Sequence, residues 1–357
     1  MRTLSVAEPP VVDPGYRVVP VRLAGGRLSH RFGVRALLVT AVLVMVALGV
    51  GVVSLATGDF AVPIPQVLLA IFGDAAPRYE LVVMDWRMPR VLLALMLGAA
   101  LGVAGAIFQA LTRNPLGSPD ILGLDVGAYT GALLVIIAGT TGAVPVGAAA
   151  LAGGLATAVV VYLLAYRRGF QGFRLIIVGI AMSAMLASLD TWLILSADLY
   201  IAMTAAVWAS GSLNNVGWGQ VLVSTGVLLA LWTALVPLAR PLHAAGLGDD
   251  TARALGVRLD ACRLALVLVG VALTATATAV AGPIAFIALA APQLARRLTG
   301  SAGVTLTATA AMGSCLLALS DFVAQHAFAP TQLPVGIVTV CIGGMYLVWL
   351  LIRQARR

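Results

Sequence analysis

The chain has 357 residues, of which 61% are apolar and only 10% charged, with a mean hydropathy of +1.03. Ionisable side chains this sparse cannot coat a water-facing globule, whereas about ten helices of ~20 residues crossing a ~30 Å hydrocarbon layer would use ~200 residues. The formal charge of +8 does not mark a nucleic-acid protein, because the basic residues sit between long apolar runs and do not cluster on one solvated face.

All 22 basic residues are arginine, and Glu8 and Glu80 are the only glutamates. A Walker A loop needs a lysine to grip phosphate, as do Schiff-base and protein-kinase chemistry, so the chain is not itself a conventional P-loop ATPase. If ATP drives it, another subunit hydrolyses the ATP. Cys262, Cys315 and Cys341 lie singly in apolar stretches, and His30, His243 and His326 are equally isolated. Without ligand spacing, neither a protein-made metal site nor a cofactor is expected. No HExxH or GxSxG motif or pair of aspartates on facing spans supports an intramembrane enzyme.

In chain order, residues 1–33 carry Pro9, Pro10, Pro14, Pro20 and paired glycines with little sustained apolarity, which predicts a disordered cytosolic tail. The first apolar run, 34–57, starts too late for a cleavable signal and is long enough to cross and stay. Further spans are predicted at 91–111, 121–140, 146–166, 174–196, 219–239, 262–281, 284–298, 303–327 and 334–353. Placing both termini in the cytosol leaves Arg78, Arg87 and Arg90 outside and the other arginines inside, from Arg2 to Arg357, as the positive-inside rule requires.

Gly98, Gly102 and Gly105 have the small-residue spacing that lets helix backbones approach closely in lipid, and Pro283 and Pro292 interrupt helices as transporters often do around a pathway. Asp125, Asp190 and Asp321 lie in or near spans, where a charge costs about 3 kcal/mol, so each is expected to face protein or water. Asp125 is expected either to border a pathway or to cap a helix near the inner face. Outside, Arg87-Met88-Pro89-Arg90 sets two cations at a helix start, suited to an acidic partner or to snorkelling at the head groups. Inside, Leu247, Thr251, Ala254 and Leu255 recur at helical spacing over 247–257, with charges on the other flank and Gly256 as a stop. This predicts a short amphipathic helix on the inner surface.

The R-x-P-R entry at Arg87–Arg90 is followed by Gln109-Ala110-Leu111-Thr112-Arg113-Asn114-Pro115-Leu116 and then by Pro119-Asp120-Ile121-Leu122-Gly123. Later come Gly282-Pro283-Ile284-Ala285-Phe286 with Pro292, and Leu333-Pro334-Val335-Gly336-Ile337-Val338-Thr339 with Gly343. These separated motifs in this order resemble the membrane permease subunit of ABC importers for iron-siderophore complexes and vitamin B12, from about residue 34 to the end. The resemblance implies an all-α, polytopic permease bundle in the cell membrane, like that of the vitamin B12 importer. It implies as partners two ATP-binding cassette subunits, an extracytoplasmic substrate-binding protein and a second permease, identical or closely related.

The resemblance also assigns residues. Arg87 and Arg90 would meet acids of the binding protein. Asn114, Leu116, Gly172 and Phe173 would form the cytosolic gate. Leu247, Gly248, Asp249, Ala252, Leu255 and Gly256 would form the helix seated in the ATPase. Asp321 matches an acid usual in the family and would be structural. The chain departs from the pattern at Gln325, which replaces a third arginine, at Gln293, which replaces a histidine, and at Gly172 and Phe173, where small polar residues are familiar. His326, beside Gln325, would be a partial substitute only if protonated. The implied cargo is a ferric siderophore, with vitamin B12 or haem as alternatives; an iron already chelated needs no protein ligands. An ion-coupled secondary transporter is the rival from another class, and the scattered aspartates are its only support.

Overall fold

A computed structural model describes residues 18–23, 28–120, 123–139, 142–166, 172–301 and 303–355. Val18–Leu23 (β1) and Leu28–Gly33 (β2) pair as an antiparallel hairpin, Val18 opposite Gly33. This corrects the expectation of a tail without structure over its second half. Val18, Val19 and Val21 favour extended backbone. The expectation for residues 1–17 lies outside the described residues.

The remainder is helical, because a backbone in hydrocarbon must satisfy its own hydrogen bonds. The helices are α1 (Val34–Ala56), α2 (Ile64–Phe72), α3 (Pro77–Glu80), α4 (Met88–Thr112), α5 (Leu124–Ile137), α6 (Ala143–Ala165), α7 (Gly172–Leu195), α8 (Leu199–Ala209), α9 (Trp218–Gly246), α10 (Asp249–Ala254), α11 (Leu259–Ala281), α12 (Ile287–Thr299), α13 (Leu306–His326) and α14 (Val335–Ala355). A π-helical turn, Leu81–Arg87, joins α3 to α4. Every predicted span corresponds to a helix, and seven of the described helices are long and apolar enough to cross a bilayer.

The differences have length as their cause. α12 has 13 residues, ~20 Å at 1.5 Å per residue, and ends on Arg296 and Arg297, so it cannot cross alone. Its predicted start at 284 falls in the non-helical stretch before it. The predicted connection between α7 and α9 contains α8, whose 11 residues are apolar but also too short to cross. Conversely, α9 with 29 residues spans ~44 Å, more than the hydrocarbon thickness, and carries the chain beyond the membrane to α10.

α4 is the centre of the bundle. Its most apolar stretch is 78% buried, those of α11 and α13 are 67% and 56%, and those of α1 and α7 are only 17%. Leu93, Leu97, Leu101, Ile107 and Phe108 are fully enclosed, while Leu38, Val42 and Met45 of α1 are exposed, as lipid-facing side chains should be. The three glycines of α4 are its crossing points. A Cβ on Gly98 would stand 2.5 Å from the carbonyl oxygen of Gly313, and one on Gly102 would stand 2.6 Å from that of Thr309, both on α13. A Cβ on Gly105 would collide with Ala288 of α12. Ser314 adds a 2.6 Å hydrogen bond to the carbonyl of Leu95.

The non-helical segments are satisfied by one another. Ser212 N–H donates to Ala281 O, and Gly336 N–H to Gly211 O at 3.0 Å, joining the breaks before α9, α12 and α14. The two motif glycines of α14 fit this junction: Gly336 abuts the carbonyl of Ser210, and Gly343 faces the ring of Phe286, whose φ is 70°. Gly98→Leu should therefore wedge α4 from α13 and cost about 1–3 kcal/mol, read as a lower thermal midpoint in detergent, with the exposed α1 variant Val42→Leu as control.

Candidate gate, coupling and docking sites

At one end of α4, the π-helical turn delivers Arg87 and Arg90 to different internal partners. Arg87 Nη1 donates to Leu55 O and Nη2 to Phe60 O, both at 2.7 Å, closing the α1–α2 loop over the helix start. Arg90 lies against α13. Its Nε reaches Asp321 Oδ1 and Oδ2 at 3.1 and 3.0 Å, its Nη2 reaches Oδ1 at 2.9 Å, and its Nη1 donates to Gln332 Oε1 at 2.9 Å. Asp321 is 2% exposed and also accepts from Gln325 Nε2 at 2.7 Å. The structure thus occupies both arginines with this chain, and neither is a bare cation awaiting a partner. Gln325, read from sequence as a lost arginine, completes the shell around Asp321. His326 turns its Nδ1 to Phe322 O at 2.8 Å and stacks on the Phe322 ring.

At the other end, α4 stops because Arg113 takes a left-handed conformation, with φ of 51°. Asn114 Oδ1 then accepts the Leu116 N–H at 2.9 Å, an Asx turn that reverses the chain. Gln293 of α12 holds this turn: its Nε2 donates to Pro115 O at 2.8 Å, while its Oε1 accepts from Tyr346 Oη of α14. Gln109 Nε2 donates to Leu289 O on the same face of α12. Sequence reasoning registered Gln293 only as a departure from a motif, since its partner is 178 residues away. Leu116 is half-exposed and Phe173, at the start of α7, is 77% exposed, so in the single chain these two of the expected gate residues are open apolar groups.

Asp125 lies in the first turn of α5, where Oδ1 accepts from Thr278 Oγ1 of α11 at 3.3 Å. Beside it Asp120 Oδ2 accepts the Phe286 N–H at 3.3 Å. These carboxyls brace α5 and its preceding turn against α11 and the break before α12. Asp190 is 4% exposed and faces Tyr129 and Thr130 of α5. Among the described residues no group of three or more His, Cys, Asp or Glu side chains could hold a metal ion.

The segment from Leu247 to Val257 contains α10, shorter than the periodicity predicts because glycines bound it. Gly248 has φ of 115° and Gly256 of 79°. The C-terminus closes as a Schellman motif, Val257 N–H to Ala252 O and Gly256 N–H to Arg253 O, which only a residue tolerant of positive φ permits. Ala252 is fully buried against Ala245 and Leu259, whereas Leu247 and Leu255 are 68% and 64% exposed. Asp249 Oδ1 accepts from Arg263 Nη2 at 2.7 Å and from Arg113 Nη2. Burial acts to raise the Asp249 carboxyl, but the hydrogen bonds and charges of Arg263 and Arg113 outweigh it and hold it below the ordinary carboxylate range. The attraction is therefore complete at neutral pH and fades only as pH falls through that lowered value.

The Arg90–Asp321 pair generates a prediction independent of any partner. Asp321→Ala leaves a nearly buried guanidinium uncompensated and should cost about 3 kcal/mol, visible as a lower thermal midpoint, while Gln325→Ala should cost about 1 kcal/mol.

Comparison with known proteins agrees with this geometry. Residues 41–353 match the model of the FecCD transport family. The chain is 47% identical over 324 residues to the ferric enterobactin transport system permease protein FepG of Escherichia coli (strain K12), covering 90% of this chain and 98% of that protein. It is 36% identical over 328 residues to the iron(3+)-hydroxamate import system permease protein FhuG of Bacillus subtilis (strain 168), covering 89% and 98%. Among solved structures, a metal-chelate type ABC transporter in an inward-facing conformation superposes with a TM-score of 0.79 at 26% identity, covering 88% of this chain and 99% of that one. With helices long enough to span a membrane around a central, glycine-crossed α4, and with the family match running over nearly its whole length, this chain belongs to the FecCD transport family.

Proposed function

We propose that the chain is the multi-pass, non-enzymatic permease of an ATP-driven importer that carries ferric siderophores across the cell membrane. The observation that carries this reading is α10: a short helix between two glycine hinges, presenting two exposed leucines and attached to the turn that ends α4. A group built this way is suited to take up movement from outside the bundle, and ATP binding elsewhere shifts the permease between states only through such differential contact. Two ATP-binding cassette subunits would each receive one α10. A second permease, identical or related, would cover the exposed apolar side of α7 and close Phe173 and Leu116 into a gate with Asn114 and Gly172. Both termini would be cytosolic, with the Arg87–Arg90 end of α4 outside.

The relatives named for ferric enterobactin and iron(3+)-hydroxamate support a chelated iron cargo, and ferric enterobactin is the first substrate to try. In vesicles containing the chain, its ATPases and a binding protein, uptake of ferric enterobactin should require ATP. Uptake driven by an ion gradient with no ATPase present would sink the importer reading. Leu247→Asp with Leu255→Asp should abolish co-purification of the ATPase while leaving the bundle inserted, because two charges would enter an apolar contact.

At the outer face, docking of the binding protein would use the surface organised by Arg87 and Arg90, whose charges are shared with this chain's own carbonyls and with Asp321. Arg87→Glu should weaken docking and alter its dependence on salt, measured by titrating the binding protein onto the permease at two ionic strengths. Unchanged affinity at both would remove this surface from the interface.

A further inference from the structure

α10 is held to the bundle by very little. Its apolar attachment is Ala252, a single methyl group against Ala245 and Leu259, and its larger apolar groups, Leu247 and Leu255, point away from the bundle. Gly248 and Gly256 take positive φ at its two ends, where the chain turns out of and back into the bundle. A methyl contact is non-directional and cannot by itself fix the orientation of a six-residue helix. The directional attachment is one carboxylate oxygen. Asp249 Oδ1 accepts from Arg263, whose side chain is 8% exposed on α11, and from Arg113, at which α4 ends. Arg113 Nη2 also lies 3.5 Å from Ala245 O, at the end of α9. The residues immediately after Arg113 form the Asn114–Leu116 turn, held on its far side by Gln293.

One atom therefore joins α10 to α11 and to the start of the expected gate. The neighbouring pair Asp250–Arg253 is exposed and spans 3.5 Å within α10 itself. We propose that Asp249 is the clasp of the coupling device: a positioning residue that transmits displacement of α10 through Arg113 to the Asn114–Leu116 turn, without itself being the docking contact for the ATPase. This inference rests on the permease reading above and goes beyond it by separating two roles within one segment. Leu247 and Leu255 seize the partner, and Asp249 passes the movement on.

The two roles separate experimentally. The complete importer, with its ATPases and binding protein, is reconstituted with Asp249→Ala or Asp249→Glu, and ATPase co-purification, ATP hydrolysis and ferric enterobactin uptake are measured together. Asp249→Ala removes this carboxylate from half-exposed Arg113 and from Arg263, whose side chain is 8% exposed, so a lower thermal midpoint is expected; Asp249→Asn, which keeps an acceptor oxygen for Arg263 without the charge, is measured beside it, and both should insert and retain the ATPase. Uptake per ATP hydrolysed should fall about tenfold, as expected for a lost coupling of ordinary size, and Asp249→Glu should restore most of it by supplying the carboxylate again. A merely structural residue would lower uptake and hydrolysis together and leave their ratio unchanged, and that outcome overturns the clasp. So does wild-type coupling in Asp249→Ala, and so does loss of the ATPase from that variant, which would make Asp249 a docking residue. Retention of the ATPase by the Leu247→Asp, Leu255→Asp chain would instead remove the leucines from the docking contact and with them this division of roles, whereas ion-driven uptake without any ATPase would overturn the importer reading beneath it.

Discussion

A peptide group in hydrocarbon has no water to bond, so an unpaired N–H or C=O costs several kcal/mol there. This single constraint makes nearly every described residue helical and makes each departure from helix informative. Among the described residues the chain breaks its helices at 113–120, at 282–286 and before α14, and polar groups at these breaks are met by side chains or by the other breaks. Asn114, Asp120 and Gln293 act on the first two, and the Gly211–Gly336 and Ser212–Ala281 hydrogen bonds tie the others together. Irregular backbone persists only where the protein replaces the solvent, and the residues expected to form the gate lie beside those replacements.

The same constraint explains the use of glycine on α4. Lipid is as apolar as leucine, so helices gain little from burying side chains against each other and must associate through close backbone packing. Gly98, Gly102 and Gly105 let α13 and α12 come within a Cβ radius of α4. With its interior fixed in this way, α4 is a rigid rod between two polar ends. One end is pinned by the Arg90–Asp321–Gln325 network and the other carries Arg113 into the α10 attachment. A displacement applied to Arg113 would move the turn beside it more readily than the rod, because the turn is held by few hydrogen bonds and the rod by a continuous core.

Charged residues serve attachment in this chain. Arg87, Arg90, Arg113 and Arg263 each hold a carbonyl or carboxylate of another segment, and Asp125, Asp249 and Asp321 each accept from a residue distant in sequence. A charge in so apolar a chain is costly unless paired, and the pairs observed lie where helices end. This arrangement leaves the two leucines of α10 and the exposed faces of α1, α7 and α9 as apolar surface for lipid or for other subunits.

What the sequence by itself determined is the membrane class, the position of the helices, the crossing role of the α4 glycines and the place of the short helix near 247–257. These depend on hydropathy, on small-residue spacing and on glycine, which act locally and leave a periodic trace along the chain. The tertiary structure alone decided what the polar residues do. It turned Arg90 from an expected outward-facing cation into the partner of Asp321, made Gln325 and Gln293 members of hydrogen-bond networks, and gave Asp249 two arginines at once. It also shortened α12, inserted α8 and paired β1 with β2. The physical reason is distance along the chain: a hydrogen bond between residues 90 and 321, or 115 and 293, leaves no period in the sequence, and only the packing of α4 against its neighbours brings such partners within 3 Å.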